Sequence, residues 1–302
     1  MAKVDTGSDR SLRAGKKVPY LLVLPAMAFL FVFFISPLIS LFKVSLSEKP
    51  NRLLPDYKFT WHWASFSDAF TRFGGQLVRS FVFAGIATVL CALIAYPIAY
   101  FIAFKAGRFK NILLGLVMVP FFTSFLLRTI AWQSLLADHG PVMRVVRFLH
   151  LTGPLGSLHI LQNGGLLNTE TAVIGGLTYN FLPFMLLPIY VSLEKIDRRL
   201  FDAAADLYSP FAATFRKVIL PLSLPGVFAG TLLTFIPATG DFINAEFLGS
   251  PKAKQVIGKA VQIEFLNKNN YPSAAAISFV LMAIITTLVL VYTKFMGTED
   301  LA

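Results

Sequence analysis

Residues 194–226 read EKIDRRLFDAAADLYSPFAATFRKVILPLSLPG. The segment 194–217 within them holds nine charges, five basic and four acidic. On either side lies an uncharged run of 23 residues, 171–193 and 218–240. A helix rises about 1.5 Å per residue, so about 20 apolar residues cross a hydrocarbon core about 30 Å thick. The stretch therefore reads as a polar connection between two membrane spans, and an all-α membrane fold is expected. Leu200, Ala203, Ala204, Leu207 and Phe211 recur at helical spacing with charges on the other faces, the pattern of a short amphipathic helix beneath the membrane. Small Ala203 and Ala204 let another surface approach closely. Pro210 and the Leu220-Pro221 pair punctuate the chain beyond this helix. Physically, this is a docking helix for a partner outside the bilayer.

The same alternation runs through the chain. Residues 18–42, 80–104, 111–127 and 269–293 are also free of Asp, Glu, Lys and Arg. All 43 charged residues of the 302 fall outside the six blocks. There they make up about a quarter of the residues, the density of an ordinary soluble surface. The pattern predicts six spans, at about 19–42, 78–104, 110–128, 171–193, 218–240 and 270–293. The third block is short and reaches full length if Lys110 and Arg128 snorkel. The uncharged run 148–169 is rich in Gly, Asn and His and reads as loop. The expected organisation is a basic tail at 1–18, a membrane domain at 19–294 with its connecting loop at 194–221, and a tail at 295–302.

Basic residues mark the cytoplasmic side in short loops. The amino-terminal tail carries five (Lys3, Arg10, Arg13, Lys16, Lys17), and KAGRFK at 105–110 carries three. Both termini are thus expected in the cytoplasm, with 43–79, 128–170 and 241–268 outside. The first block exceeds a signal-peptide core in length and is read as a retained span. The segment after Arg128 shows helical apolar spacing and reads as a surface or re-entrant helix. The net charge of +11 is spread along the chain without a Lys/Arg run, so topology explains it better than a nucleic-acid partner. Part of it lies in the outer loops, where topology does not account for it.

Candidate chemistry is sparse. The single Cys91 permits no intrachain disulfide. His62, His139, His150 and His159 lie outside the blocks without metal-ligand spacing, and no metal is expected. No phosphate-binding Gly-rich loop with its Lys-Ser/Thr is present. Prolines at 25, 37, 97, 120, 183, 188, 221, 225 and 237 read either as ordinary kinks or, in the fifth span with Gly226, Gly230 and Gly240, as the lining of a moving aqueous path. Asp241 and Glu246 come just after the fifth span in TGDFINAEFLG. They are either loop charges or an acidic gate. Tyr179 and Asn180 lie within the fourth span, facing a cavity or bonding within the bundle. An integral membrane enzyme would need a cluster of His, Asp or Glu, which the sequence lacks.

Asp202-Ala203-Ala204, Tyr208, Val218 and Leu220-Pro221 fall at the spacing E-A-A-x3-G-x9-I-x-L-P. In this the chain resembles the permease subunits of bacterial ATP-binding-cassette (ABC) importers. Two signature residues depart: Asp202 stands for Glu, and Tyr208 for Gly. The latter questions the turn after the docking helix, which either bends differently or uses Ser209-Pro210. The stretches 125–142, 177–197 and 235–251 resemble the spermidine/putrescine branch. The resemblance implies a type I importer (MetI-like) fold in the bacterial inner membrane. It implies a second permease, usually in a heterodimer, and two cytoplasmic ATPase subunits that carry ATP and Mg. It further implies an extracytoplasmic solute-binding protein, and a chain that is not itself an enzyme and binds no cofactor. Asp202, Ala203, Ala204, Asp206, Leu207 and Tyr208 are then expected to dock the ATPase, with Leu220 and Pro221 joining the loop to the span. The expected solute is a polyamine. The same architecture also serves other organic cations, inorganic anions or iron complexes. Asp241, Glu246, Tyr179 and Asn180 are the candidates for its path.

Overall fold

A computed structural model describes residues 18–49, 57–157, 160–162 and 164–296. Residues 1–17 of the expected basic tail at 1–18, the last six residues, His159 and Asn163 lie outside these. The described chain is almost wholly helical. Helix α1 comprises Val18–Leu30, a π-helical turn at Phe31–Ile35 and Ser36–Ser45. A small antiparallel hairpin comes next, β1 (Ser47–Glu48) with β2 (Lys58–Phe59), pairing Ser47 with Phe59. Helix α2 is Ala64–Tyr100, continued by a π turn at Phe101–Lys105. Then come α3 (Lys110–Met118), α4 (Phe125–Leu136), α5 (Pro141–Phe148) and α6 (Thr152–Ser157). Helix α7 is Glu170–Glu194 and α8 is Arg199–Asp206. Helix α9 runs Phe211–Gly240 through a π turn at Phe215–Ile219. Finally come α10 (Ile243–Leu248), α11 (Ile257–Gln262, extended by a π turn at Ile263–Asn267) and α12 (Tyr271–Met296).

Among the described residues, five helices are long and apolar enough to cross a membrane: α1, α2, α7, α9 and α12. A sixth crossing is made if the bent pair Gly107–Phe122 and Phe125–Phe148 counts as one. The apolar window of α7 is 61% buried and that of α1 is 0% buried. Helix α7 is therefore the centre of the bundle, flanked by α2 and α9. Helix α1 stands at its edge and meets α12 near its end, where Phe42 lies edge-on to Phe279. The hydroxyl of Thr169 caps the start of α7, accepting from the Ala172 amide at 2.9 Å.

Two of the expected spans differ most from the sequence reading, and the run 148–169, read as loop, holds the short helix α6. The third block is not straight. It gives way to a 3-10 turn at Val119–Phe122, Thr123 and Ser124 are extended, and the chain re-enters as α4 at 95°. Pro120 cannot donate to the preceding turn, and the Thr123 hydroxyl bonds its carbonyl at 2.6 Å, which stops the helix. Arg128 consequently does not snorkel. It is buried on α4 with its guanidinium 5.7 Å from the ring centroids of both Phe121 and Phe125. Lys110 instead pairs with Glu194 at the other end of α3. The second difference is α2, which begins at Ala64, well before its apolar block. Phe66, Ala69, Phe73 and Leu77 give this extension an apolar face, and it builds a second core with Ile257, Ala260, Ile277 and Val280.

The glycines of α9 divide between the two readings. A Cβ on Gly226 would sit inside the Pro188 carbonyl oxygen and 2.5 Å from the Ser192 hydroxyl. One on Gly230 would meet the Met185 sulfur at 2.8 Å. Both glycines serve the close approach of α9 to α7. Gly240 is open and lines a cavity of about 740 Å³ between α9, α11 and α12. Gly226→Ala should therefore destabilise the protein by about 1–3 kcal/mol through overpacking. Gly85→Ala, where nothing lies within 4 Å, should not. Thermal unfolding in detergent checks the pair, and equal melting temperatures would contradict the packing.

Candidate functional site

The polar loop after α7 is built from local rules. Asp197 Oδ1 accepts the Arg199 amide at 2.9 Å and starts α8. Eight residues later the helix stops in a defined way. The Tyr208 amide bonds the Ala205 carbonyl at 2.9 Å and the Ser209 amide bonds the Ala204 carbonyl at 3.0 Å. These two bonds make a Schellman turn, which needs a left-handed residue at the first position beyond the cap. Tyr208 occupies that position with φ +53°. Of the two alternatives for the missing glycine, neither is realised: the tyrosine takes the glycine conformation itself. Pro210 is extended and releases the chain into α9, where the Thr214 amide bonds its carbonyl.

The loop presents an uncovered surface. Leu207 is 81% exposed and Tyr208 96%, with Leu200 and Phe211 also exposed. Asp202, Ala203 and Asp206 are exposed beside them, while Ala204 is half-buried. Uncovered apolar groups of this size mark a surface that meets another protein or lipid. Leu220 is half-buried and Pro221 exposed, just beyond the π turn of α9. Pro221 has no amide to give, and the wider turn upstream absorbs that irregularity. The same arrangement recurs in α1, where Pro37 comes after the π turn at Phe31–Ile35.

At the opposite end of α9 the four path candidates have different fates. Asn180 is 1% exposed and donates to Asn244 Oδ1 at 3.0 Å and to the Thr129 hydroxyl at 3.3 Å. It bonds within the bundle and does not face an open cavity. Tyr179 lies edge-on to Trp132, ring centroids 5.2 Å apart. Glu246 is held by Lys259 at 3.0 Å and Lys254 at 3.8 Å, so its charge is met locally. Asp241 accepts from the amides of Ile243 and Asn244 at 3.0 and 3.2 Å, and from Asn244 Nδ2 at 2.6 Å. Burial raises its carboxyl above the usual aspartate range, against the pull of those bonds. Among the described residues no Lys or Arg lies within ion-pair distance of it. Gly240 and Phe242 on either side of it line the 740 Å³ cavity. Sequence reasoning missed Thr129 and Asn244, which only the fold brings to Asn180.

A family model described as "Binding-protein-dependent transport system inner membrane component" matches residues 95–296. The chain belongs to this family. It is an inner-membrane component of a transport system. The spermidine/putrescine transport system permease protein PotB of Haemophilus influenzae is 36% identical over 240 residues, 79% of this chain and 80% of that one. PotB of Escherichia coli K12 is 35% identical over 72% of this chain and 76% of its own. The inner membrane ABC transporter permease protein YdcU of E. coli K12 is 33% identical over 74% and 72%. Among solved structures, a chain of a bacterial ABC transporter involved in the import of alginate superposes with a TM-score of 0.63 at 14% identity, covering 92% of this chain and 94% of that one. A chain of the MetNI methionine ABC transporter gives 0.56 at 15% identity, covering 74% and 94%. These establish the ABC importer permease fold.

Tyr208 tests the loop's local design. A non-glycine residue in the left-handed region costs about 1–2 kcal/mol. Tyr208→Gly should therefore raise hydrogen-exchange protection of the Ser209 amide by roughly fivefold, about 1 kcal/mol of relieved strain. Tyr208→Val should lower it. Equal protection in all three proteins would mean the turn carries no strain.

Proposed function

We propose that the chain is the membrane permease subunit of a binding-protein-dependent importer for polyamines, driven by separate ATPase subunits. The exposed face of α8 and its turn carries the reading. Leu207 and Tyr208 are almost wholly uncovered, so these side chains add little to packing within this chain. The face suits a cytoplasmic ATPase that docks on Asp202, Ala203, Ala204, Asp206, Leu207 and Tyr208, with Leu220 and Pro221 passing its motion into α9. Both termini and the 105–110 loop then lie in the cytoplasm. ATP and Mg belong to the ATPase subunits. A second permease, in a heterodimer, completes the pathway, and an extracytoplasmic binding protein delivers solute at the far end.

The relatives named for spermidine/putrescine transport favour a polyamine. So does Asp241, a carboxylate at the end of a span whose partners among the described residues are amides and not a cation, which leaves its charge available to an ammonium group. Glu246, already paired with two lysines, is less suited to this role.

The experiment is reconstitution with the ATPase, second permease and binding protein. Ala203→Trp and Ala204→Trp should abolish ATPase co-purification and lower labelled spermidine uptake by at least roughly tenfold. Full uptake in both variants would defeat the docking reading. Asp241→Asn should raise the spermidine concentration needed for half-maximal transport while ATPase binding stays intact. An unchanged spermidine profile would remove Asp241 from the path. Transport of an anion or iron complex in place of spermidine by the unaltered complex would assign the architecture to another solute.

A further inference from the structure

The α8 helix packs on a membrane span, α2. Phe201, on the bundle side of α8, packs on Phe104 of α2 with ring centroids 5.0 Å apart. Phe104 packs on Tyr100 at 5.0 Å. Tyr100 meets Phe211 at 6.2 Å and Phe215 at 6.3 Å, and Phe215 meets Tyr96 at 5.7 Å. The Tyr96 hydroxyl then shares a 2.7 Å hydrogen bond with Ser223 of α9, which is fully buried. Positions 96, 100 and 104 are four residues apart, so their rings form one stripe on α2. Phe211 and Phe215 form the facing stripe on α9. The contacts climb about 12 Å from Phe104 to Tyr96 at about 1.5 Å per residue.

Two further observations give this stack a mechanical sense. Both helices carry a π turn at the level of the stack, Phe101–Lys105 in α2 and Phe215–Ile219 in α9. A π turn is a local departure from the regular hydrogen-bond ladder and a recurrent feature of functional sites. Aromatic rings have few rotatable bonds and pack at interior density, so they pass on a displacement instead of absorbing it. Resting on the proposed docking of an ATPase at α8, we infer that the ladder Phe201–Phe104–Tyr100–Phe215–Tyr96 carries the motion of the docked ATPase into α2 as well as α9. Its residues are positioning residues for transport, and the two π turns are the joints at which the spans flex. Measured coupling, and not the path of contacts alone, decides such a role.

The test uses the full importer in proteoliposomes. Phe104→Ala should leave ATPase co-purification and hydrolysis in place. Spermidine moved per ATP hydrolysed should fall roughly tenfold, within the range for coupling between sites, and hydrolysis should no longer respond to the binding protein. Tyr100→Leu should behave alike and serves if Phe104→Ala fails to assemble. Tyr100→Phe keeps the ring and should keep coupling. Leu93→Ala, on the same helix but exposed and outside both the π turn and the ladder, should also keep it. Normal transport per ATP in Phe104→Ala or Tyr100→Leu, or equal loss in Leu93→Ala, would overturn the inference. Failure of the unaltered chain to retain the ATPase would instead refute the docking reading.

Discussion

The bundle depends on the close approach of α9 to α7 at Gly226 and Gly230. Two helices separated by ordinary side chains lie about 8–10 Å apart, and a missing side chain lets the backbones come closer. Here the absent Cβ of Gly226 makes room for the carbonyl of Pro188, and that of Gly230 for Met185. The charged loop 194–217 is the connection between these same two helices. Their contact therefore fixes both stems of α8, as well as the depth of Asn180 and Asp241 at the other end. Between helices in lipid, tight van der Waals contact replaces the hydrophobic drive that water supplies elsewhere.

Much of this was legible in the sequence because hydrocarbon forbids free charge and unpaired backbone. Uncharged blocks of bilayer length announce the spans, and the alternation of small and charged residues from Leu200 to Phe211 announces α8. The break at Thr123–Ser124 was harder to read. Pro120 is no more conspicuous than Pro183 or Pro188, which sit inside an unbroken α7. The extension of α2 from Ala64 was hidden because its apolar face is only half the surface, with Asp68 and Arg72 on the other. The partnership of Asn180 with Asn244 and Thr129 joins residues 64 and 51 positions apart, and no local pattern encodes it. The aromatic ladder did leave a trace, in rings at 96, 100 and 104 and again at 211 and 215. Among 30 phenylalanines and nine tyrosines in apolar helices, such spacing reads first as lipid-facing bulk.

Tyr208 shows how a motif can lose its signature residue and keep its geometry. The Schellman bonds need a left-handed residue, not glycine as such, and the two amide bonds from Tyr208 and Ser209 help offset the strain of about 1–2 kcal/mol. The side chain that results is almost fully exposed at the rim of the uncovered face of α8. A glycine would leave that rim bare. The substitution thus changes the chemistry offered to a partner while the backbone elbow stays as the spacing requires.

The basic residues at the end of the bundle away from α8 also find an account. Lys254 and Lys259 neutralise Glu246, and Lys268 neutralises the buried Glu264 at 2.6 Å. Lys49 and Arg79 do something different. Lys49 donates to the Lys268 carbonyl at 2.8 Å, and Arg79 donates to those of Lys252 and Gln255 at 2.5 and 3.3 Å. Carbonyls in the loops between helices have no ladder partner, and a cation satisfies them with a charge-assisted bond. These side chains tie the α10–α11 and α11–α12 connections to the hairpin and to α2. The positive excess on this face is thus partly directed to backbone oxygens, which carry no formal charge and leave the net count high. Asp241 is the reverse case, a carboxylate satisfied by amides. Among the described residues, the same end of the bundle thus holds cations without carboxylates and a carboxylate without a cation, and it is the carboxylate whose chain neighbours, Gly240 and Phe242, line the cavity.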